Sequence, residues 1–321
     1  MLMGSLWTPR VIYNAVIIIL CIIMPWLAPA IGQEFFTDVF TRTMIFAIAA
    51  ISLNLIMGYG GMISFGHAVY IGIGGYTVGI LSYHGIDNGW IQWPMAIGLC
   101  GVFALIFGAI SLRTKGVYFI MITLAFAQMM YFLSVSIEKY GSDDGLNIDS
   151  QSQFGIPFFD LSDPLTIYYT AFVCMMLCVY ITYRFVNSRF GMVIRGSMSN
   201  DERMRSIGYP TYGYKLTAFV IAGMMAGLSG ILSANFEAFM SPDNLFWIAS
   251  GDLIFMVVLG GMGTIFGPIG GTVLFLVISE ILSNFTESWH LIFGPLLILV
   301  VLYMRGGMEG FFISLGRSRN E

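Results

Sequence analysis

Apolar positions in this chain come in long runs, and short polar stretches separate them. The runs fall at about 11–31, 38–57, 62–83, 93–112, 116–137, 165–186, 215–236, 251–262, 265–283 and 289–304. A helix needs about 20 mostly apolar residues to cross the hydrocarbon of a bilayer. Most of these runs meet that length. The run 251–262 is too short to cross alone, so with 265–283 it forms either two crossings or a re-entrant pair. The pattern predicts an all-α, polytopic transmembrane helical bundle of about ten spans, or eight plus a re-entrant pair. No linker or low-complexity tract divides residues 1–321, so a single membrane domain is expected.

Composition agrees. Of 321 residues, 57% are hydrophobic and only 10% charged, against about 25% charged in ordinary soluble domains. Mean hydropathy is +0.83. The 14 basic and 18 acidic residues give a net charge of −4, with no basic excess to hold a nucleic acid. The four cysteines (21, 100, 174 and 178) all lie in apolar runs and read as buried thiols. Arg10, the run that follows it and Ala28-Pro29-Ala30 imitate a secretory signal; with membrane spans downstream, they read as an uncleaved first span.

Charge placement orients the bundle. With a cytoplasmic N-terminus, Arg10, Arg113, Lys115, Arg184, Arg189, Arg195, Arg203, Arg205, Lys215, Arg305, Arg317 and Arg319 fall inside, which is 12 of the 14 basic residues. Only Arg42 and Lys139 fall outside. That is the asymmetry of the positive-inside rule, and both span counts return the C-terminus to the cytoplasm. Two loops then stand out. The external loop 138–164 holds Asp143, Asp144, Asp149, Asp160 and Asp163, and the cytoplasmic loop 187–214 holds the densest basic cluster. Asp252 and Glu280 are the acids nearest the apolar core, and they read as lying near the outer interface.

Within 187–214, Ser199-Asn200-Asp201-Glu202 matches a capping box, with Ser199 as N-cap and Glu202 reaching back to it. Asp201 and Glu202 suit the positive end of the helix dipole. Gly208 supplies a left-handed stop and Pro210 prevents continuation. The spacing predicts a short surface helix near 200–207. It is either a connector or a docking helix for a cytoplasmic partner.

Two glycine-rich runs interrupt the spans: LNLIMGYGGMISFGHAVYIGIGGY at 53–76 and VVLGGMGTIFGPIGG at 257–271. Gly60-Gly61-Met62 and Gly260-Gly261-Met262 resemble one another, and broken helices in two parts of a transporter commonly flank the substrate path. Gly60, Gly61, Gly260 and Gly261 are therefore candidate hinges or helix breaks. Asn54, Ser64 and His67 are candidate pathway residues, although polar groups in spans also serve as interhelical hydrogen bonds. There is no phosphate-binding P-loop, no His-Glu-x-x-His and no Gly-x-Ser-x-Gly, so neither a catalytic site nor a means of hydrolysing ATP is visible.

Five blocks in order resemble the LivM-type permease of branched-chain amino acid ABC importers: 53–76, KGVYFIMITLAFAQMMY at 115–131, GSDDGL at 141–146, RFGMVIR with IGYPTYGYKLTAFVIAGMMAGLSGIL across 189–232, and MVVLGGMGTIFGPIGG at 256–271. The resemblance implies a multi-pass permease subunit of a bacterial inner membrane, seated in lipid. Its implied partners are a second homologous permease subunit, two cytoplasmic ATPase subunits that bind the ATP, and a periplasmic substrate-binding protein. It implies that 187–214 carries the ATPase-coupling segment, here Ser199, Asp201, Glu202 and Gly208. Glu202 and Gly208 keep the Glu-Ala-Ala-x-x-x-Gly spacing of importer permeases, but Arg203 and Met204 replace the alanines, and Ser197, Met198 and Ser199 replace a basic run. Related permeases carry branched-chain amino acids, urea, short amides or aromatic acids, so the solute stays open. A self-sufficient carrier or channel is the rival from another class.

Overall fold

A computed structural model describes residues 9–30, 35–156, 159–285, 291–295, 298, 302, 306–308 and 310, without the side chains of 9–14, 28–30, 284 and 285. Most of the expected span 289–304, with Arg305, Arg317, Arg319, Glu309, Glu321 and His290, lies outside the described residues. So do 1–8 and 311–321, on which the expected location of the termini depends.

Eleven α-helices occur among the described residues: α1 (Pro9–Ala30), α2 (Phe35–Met57), α3 (Ala68–Tyr83), α4 (Gly89–Ser111), α5 (Val117–Val135), α6 (Pro164–Val186), α7 (Arg189–Ser199), α8 (Asp201–Ser206), α9 (Thr211–Glu237), α10 (Trp247–Gly260) and α11 (Gly267–Phe285). Five of them, α2, α4, α5, α6 and α9, are long and apolar enough to cross a bilayer. Local sequence fixes several starts. Asn88 accepts from the Trp90 amide at the head of α4, and Asp163 accepts from the Thr166 amide, with Pro164 at the first position of α6.

Helices α2, α3 and α9 form the buried centre. Small residues permit it: a Cβ on Gly74 would strike the Gly227 carbonyl, and one on Gly230 the Ile71 carbonyl. The backbones of α3 and α9 thus meet directly, which is how membrane helices pack where lipid is as apolar as leucine. Outward faces of α4, α5 and α6 expose Leu105, Ile106, Val117, Tyr118, Phe132, Val173 and Leu177. Only a lipid environment or another apolar partner would make such a surface stable. All four cysteines are buried and free, as their settings predicted.

One end of the bundle carries α7, α8 and the turn 112–116, and is here called the basic end. The acidic end is closed by the segment 138–163. Leu146–Asn147 pairs antiparallel with Phe239–Met240, Gln153 bridges to Asn88 and Asp160, and Ser152 donates its amide to Asn235. Leu146, Ile148 and Leu161 are buried beneath it while Asp143, Asp144, Asp149, Asp160 and Asp163 are exposed. The expected outer loop is thus a folded cap.

The glycine-rich run changes one expected span. Residues 58–67 are non-helical, and α3 starts only at Ala68. Its 16 residues rise about 24 Å, short of a full hydrocarbon thickness. Glycine 61 takes φ +67°, a conformation L side chains rarely adopt.

Candidate functional site

The first break runs back into the bundle. Its far end is fixed by His67, whose Nε2 lies 2.8 Å from the Ser52 hydroxyl on α2, more than a turn before that helix ends. The Ser52 hydroxyl also lies 2.7 Å from the Ala49 carbonyl oxygen. Backbone groups along the break find partners from two helices and from the break itself. The Phe65 amide donates to Thr123 of α5, the Ala68 amide to Ser250 of α10, and the Gly66 amide to Ser64. Non-helical backbone at membrane depth survives only when satisfied in this way.

A second break, 261–266, separates α10 from α11. Asn54 joins the two. Its Nδ2 donates to the Thr264 carbonyl at 2.7 Å, and its Oδ1 accepts from the Gly263 amide at 2.9 Å. Gly58 and Gly263 face each other so closely that a Cβ on Gly58 would meet the Gly263 nitrogen. Gly261, at φ +114°, packs against Gly306, and Gly260 against Gly267. The short run 251–262 therefore reaches the depth at which α2 ends. Asn54, Ser64 and His67 are all fully buried; in this conformation Asn54 and Ser64 brace backbone and His67 pairs with Ser52, rather than lining an opening.

At the basic end the first break touches α7. Met198 Cγ lies 3.0 Å from the position a Cβ on Gly61 would occupy, and Ile194 lies 3.5 Å from that of Gly60. A cavity of about 300 Å³ opens between Gly60–Ile63, the 112–116 turn, the α7–α8 junction and the start of α9.

Asp201, with 11% of its side chain exposed, sits at the centre of this region. Lys215 donates to it at 3.0 Å, Arg205 Nη2 lies at 3.1 Å and Lys115 Nζ at 3.2 Å. Burial alone would raise its carboxyl. The hydrogen bond from Lys215, the nearby Thr211 hydroxyl and Lys115 ammonium, and the charge of Lys215 outweigh that, and hold it down at about 2. One carboxylate thus ties α8 to the turn before α5 and to α9.

The expected helix near 200–207 exists as α8, but its cap is corrected. Asn200 is the N-cap, accepting from the Arg203 amide at 2.9 Å. Ser199 is the last residue of α7 and turns back to the Arg195 carbonyl. The capping-box reading failed because a helix already occupied 189–199, so Ser199 was helical and unable to adopt the extended cap conformation. Ser188, which accepts from the Gly191 amide at 3.3 Å, was the overlooked start signal. The stop holds: Gly208 takes φ +96°, its amide donates to Arg205, and that of Tyr209 donates to Met204, the pairing of a Schellman motif. Met204 packs on Gly196 of α7, whereas Ile207 is exposed. Glu202 is exposed.

Residues 35–302 match the family described as branched-chain amino acid transport system / permease component. The high-affinity branched-chain amino acid transport system permease protein LivM of Salmonella typhimurium is 28% identical over 294 residues, 84% of this chain and 69% of that protein. LivM of Escherichia coli is similar to the same extent. The Escherichia coli permease protein LivH is 29% identical over 302 residues, covering 87% of this chain and 95% of its own. No solved structure matches.

Proposed function

The chain belongs to the branched-chain amino acid transport system permease component family, and from that premise we propose that it is a multi-pass permease subunit of an ABC importer in a bacterial inner membrane, taking up branched-chain amino acids or a similar small polar solute. Separate ATPase subunits bind and hydrolyse ATP beneath the basic end, a second homologous permease completes the pathway, and a periplasmic binding protein delivers solute to the acidic end.

The observation that carries this reading is the contact of α7 with the first break. ATPases moving on α8 displace α7 as well, because Asn200 alone separates the two helices and Met204 packs on Gly196. Met198 and Ile194 then press on Gly61 and Gly60, and Asn54 carries the displacement to the second break. The Asp201 cluster keeps α8 registered on the turn before α5 and on α9 during the stroke. Two broken segments that both bond to Asn54 give the bundle a place to switch, since packed cores are bistable rather than continuously deformable. Placing α7, α8, Arg113 and Lys115 in the cytoplasm also satisfies the positive-inside rule. Ser199, Asp201, Glu202 and Gly208 then belong to the coupling surface, with Glu202 presented to the ATPase; Asn54, Ser64 and His67 belong to the moving wall of the path, and Gly60, Gly61, Gly260 and Gly261 to its hinges.

The test is a pull-down of tagged chain from native membranes in mild detergent. Two ATPases and a second permease are expected by mass spectrometry. A lone chain that still moves solute in ATP-free vesicles overturns the proposal.

A further inference from the structure

The cavity at the basic end holds more positive charge than its one carboxylate can use. Lys115, Arg205 and Lys215 line it, with Asp201 as the acid among them. Two ammoniums and a guanidinium carry about eleven N–H donors, whereas a carboxylate accepts about four. Arg205 spends one of its own on Thr211. The side chains of Lys115 and Arg205 are 66% and 55% exposed, so the unspent donors belong to groups that a ligand can reach. Glu202, the next acid in the chain, is exposed and does not line the space. At about 300 Å³ the cavity lies at the lower end of small-molecule sites. It also borders the apolar surface. Ile120 lines it, and Val117, one turn earlier on the same face of α5, is exposed together with Tyr118 and Met121.

We propose that this cavity binds the phosphate of an anionic phospholipid, whose acyl chains run along Val117, Tyr118 and Met121 of α5. Lys115 and Arg205 take the phosphate oxygens, while Lys215, the least exposed cation, stays on Asp201. The lining carries a net charge of +2, which one phosphodiester lowers without reversing. A zwitterionic headgroup brings its own ammonium among these cations, and a free phosphate has nothing to place on the apolar face. Basic pockets between membrane helices hold anionic headgroups in this way. Gly60, Gly61 and Met198 also line the cavity, so the headgroup sits on the contact that passes the stroke to the first break and regulates it. That consequence rests on the importer reading; the binding itself does not.

The test uses the full chain, with the subunits that copurify, in phosphatidylcholine nanodiscs containing increasing fractions of phosphatidylglycerol. Ile63→Cys places a probe in the cavity wall, and Met192→Cys, exposed on α7 and outside the lining, is the reference; the four native cysteines are buried. Neutral N-ethylmaleimide is the reagent, so surface charge does not change its local concentration, and labelling is read on this chain's own peptides by mass spectrometry. Phosphatidylglycerol is expected to slow labelling of Ile63→Cys at least about threefold relative to Met192→Cys, whereas millimolar inorganic phosphate in pure phosphatidylcholine does not. On that background Lys115→Gln should raise the fraction needed for half-protection about fivefold, the weight of one basic residue near an anionic surface, and Lys115→Arg should keep it. Absence of protection, equal protection by inorganic phosphate, or protection indifferent to Lys115→Gln overturns the proposal. Where Ile63→Cys fails to assemble, native mass spectrometry compares phosphatidylglycerol retained by the unmodified chain and by Lys115→Gln, and equal retention overturns it likewise. A chain that shows the protection but copurifies with no ATPase keeps the site and refutes the importer reading instead.

Discussion

Asp201→Asn removes the one anion that holds three cations at the basic end. Its carboxyl is held at about 2 against an ordinary 3.8. At about 1.4 kcal/mol per pKa unit that difference corresponds to roughly 2 kcal/mol of net stabilisation, a reasonable size for a side chain that is mostly out of water. Because the folded pKa is depressed, this stabilisation is complete above about pH 4 and disappears as pH falls through about 2; it does not vary between pH 5 and 9. Loss of about 2 kcal/mol raises the population of detached α8 roughly 30-fold. Inside-out vesicles treated with trypsin at pH 8 report this directly, since Arg203 and Arg205 flank Met204 and cleavage follows the detached fraction when reclosure is fast. The expected outcome is cleavage accelerated 10- to 30-fold and uptake lowered at least tenfold in an intact complex. Lys215→Gln combined with Asp201→Asn should cost less than the sum of the two, because the least exposed cation is no longer left unpaired. Wild-type cleavage and uptake within twofold in Asp201→Asn would refute the argument that this carboxylate registers α8.

Further outcomes follow from the same geometry. Asn54→Leu strands the Gly263 amide and the Thr264 carbonyl at membrane depth; at about 1–3 kcal/mol for each lost partner, the purified complex should denature at a clearly lower temperature, and an unchanged midpoint would count against the link between the breaks. Gly208→Pro cannot adopt φ +96° and has no amide for Arg205, so it should abolish uptake while membrane insertion persists, and Gly208→Ala should cost about 1 kcal/mol. Gly227→Leu has no room beside Cys100 and α3, and no assembled permease is expected on blue-native gels. With the topology proposed, Met198→Cys should react with a membrane-impermeant reagent only from the cytoplasmic side and Ile156→Cys only from the periplasmic side; the reverse pattern would invert the bundle.

Sequence alone determined the fold class, the approximate places of the helices and the family, because a bilayer imposes length and hydropathy on each span separately, and such constraints are local. It also determined α8 and its Gly208 stop, whose signals sit within a few residues of one another. It did not determine the Asn200 cap, since choosing between two adjacent cap residues required knowing that α7 precedes them. Pairings between distant segments were beyond it. Lys115 and Lys215 meet on Asp201, and Asn54 meets Gly263, only because α2, α5, α9 and α10 pack side by side. Glycine-rich runs announced breaks, but where each break lies and which groups satisfy its backbone depended on hydroxyls from other helices, Thr123 and Ser250 among them. The cavity at the basic end belongs wholly to that tertiary level: Gly61, Lys115 and Lys215 are remote in the chain, and helix packing brought them around one space.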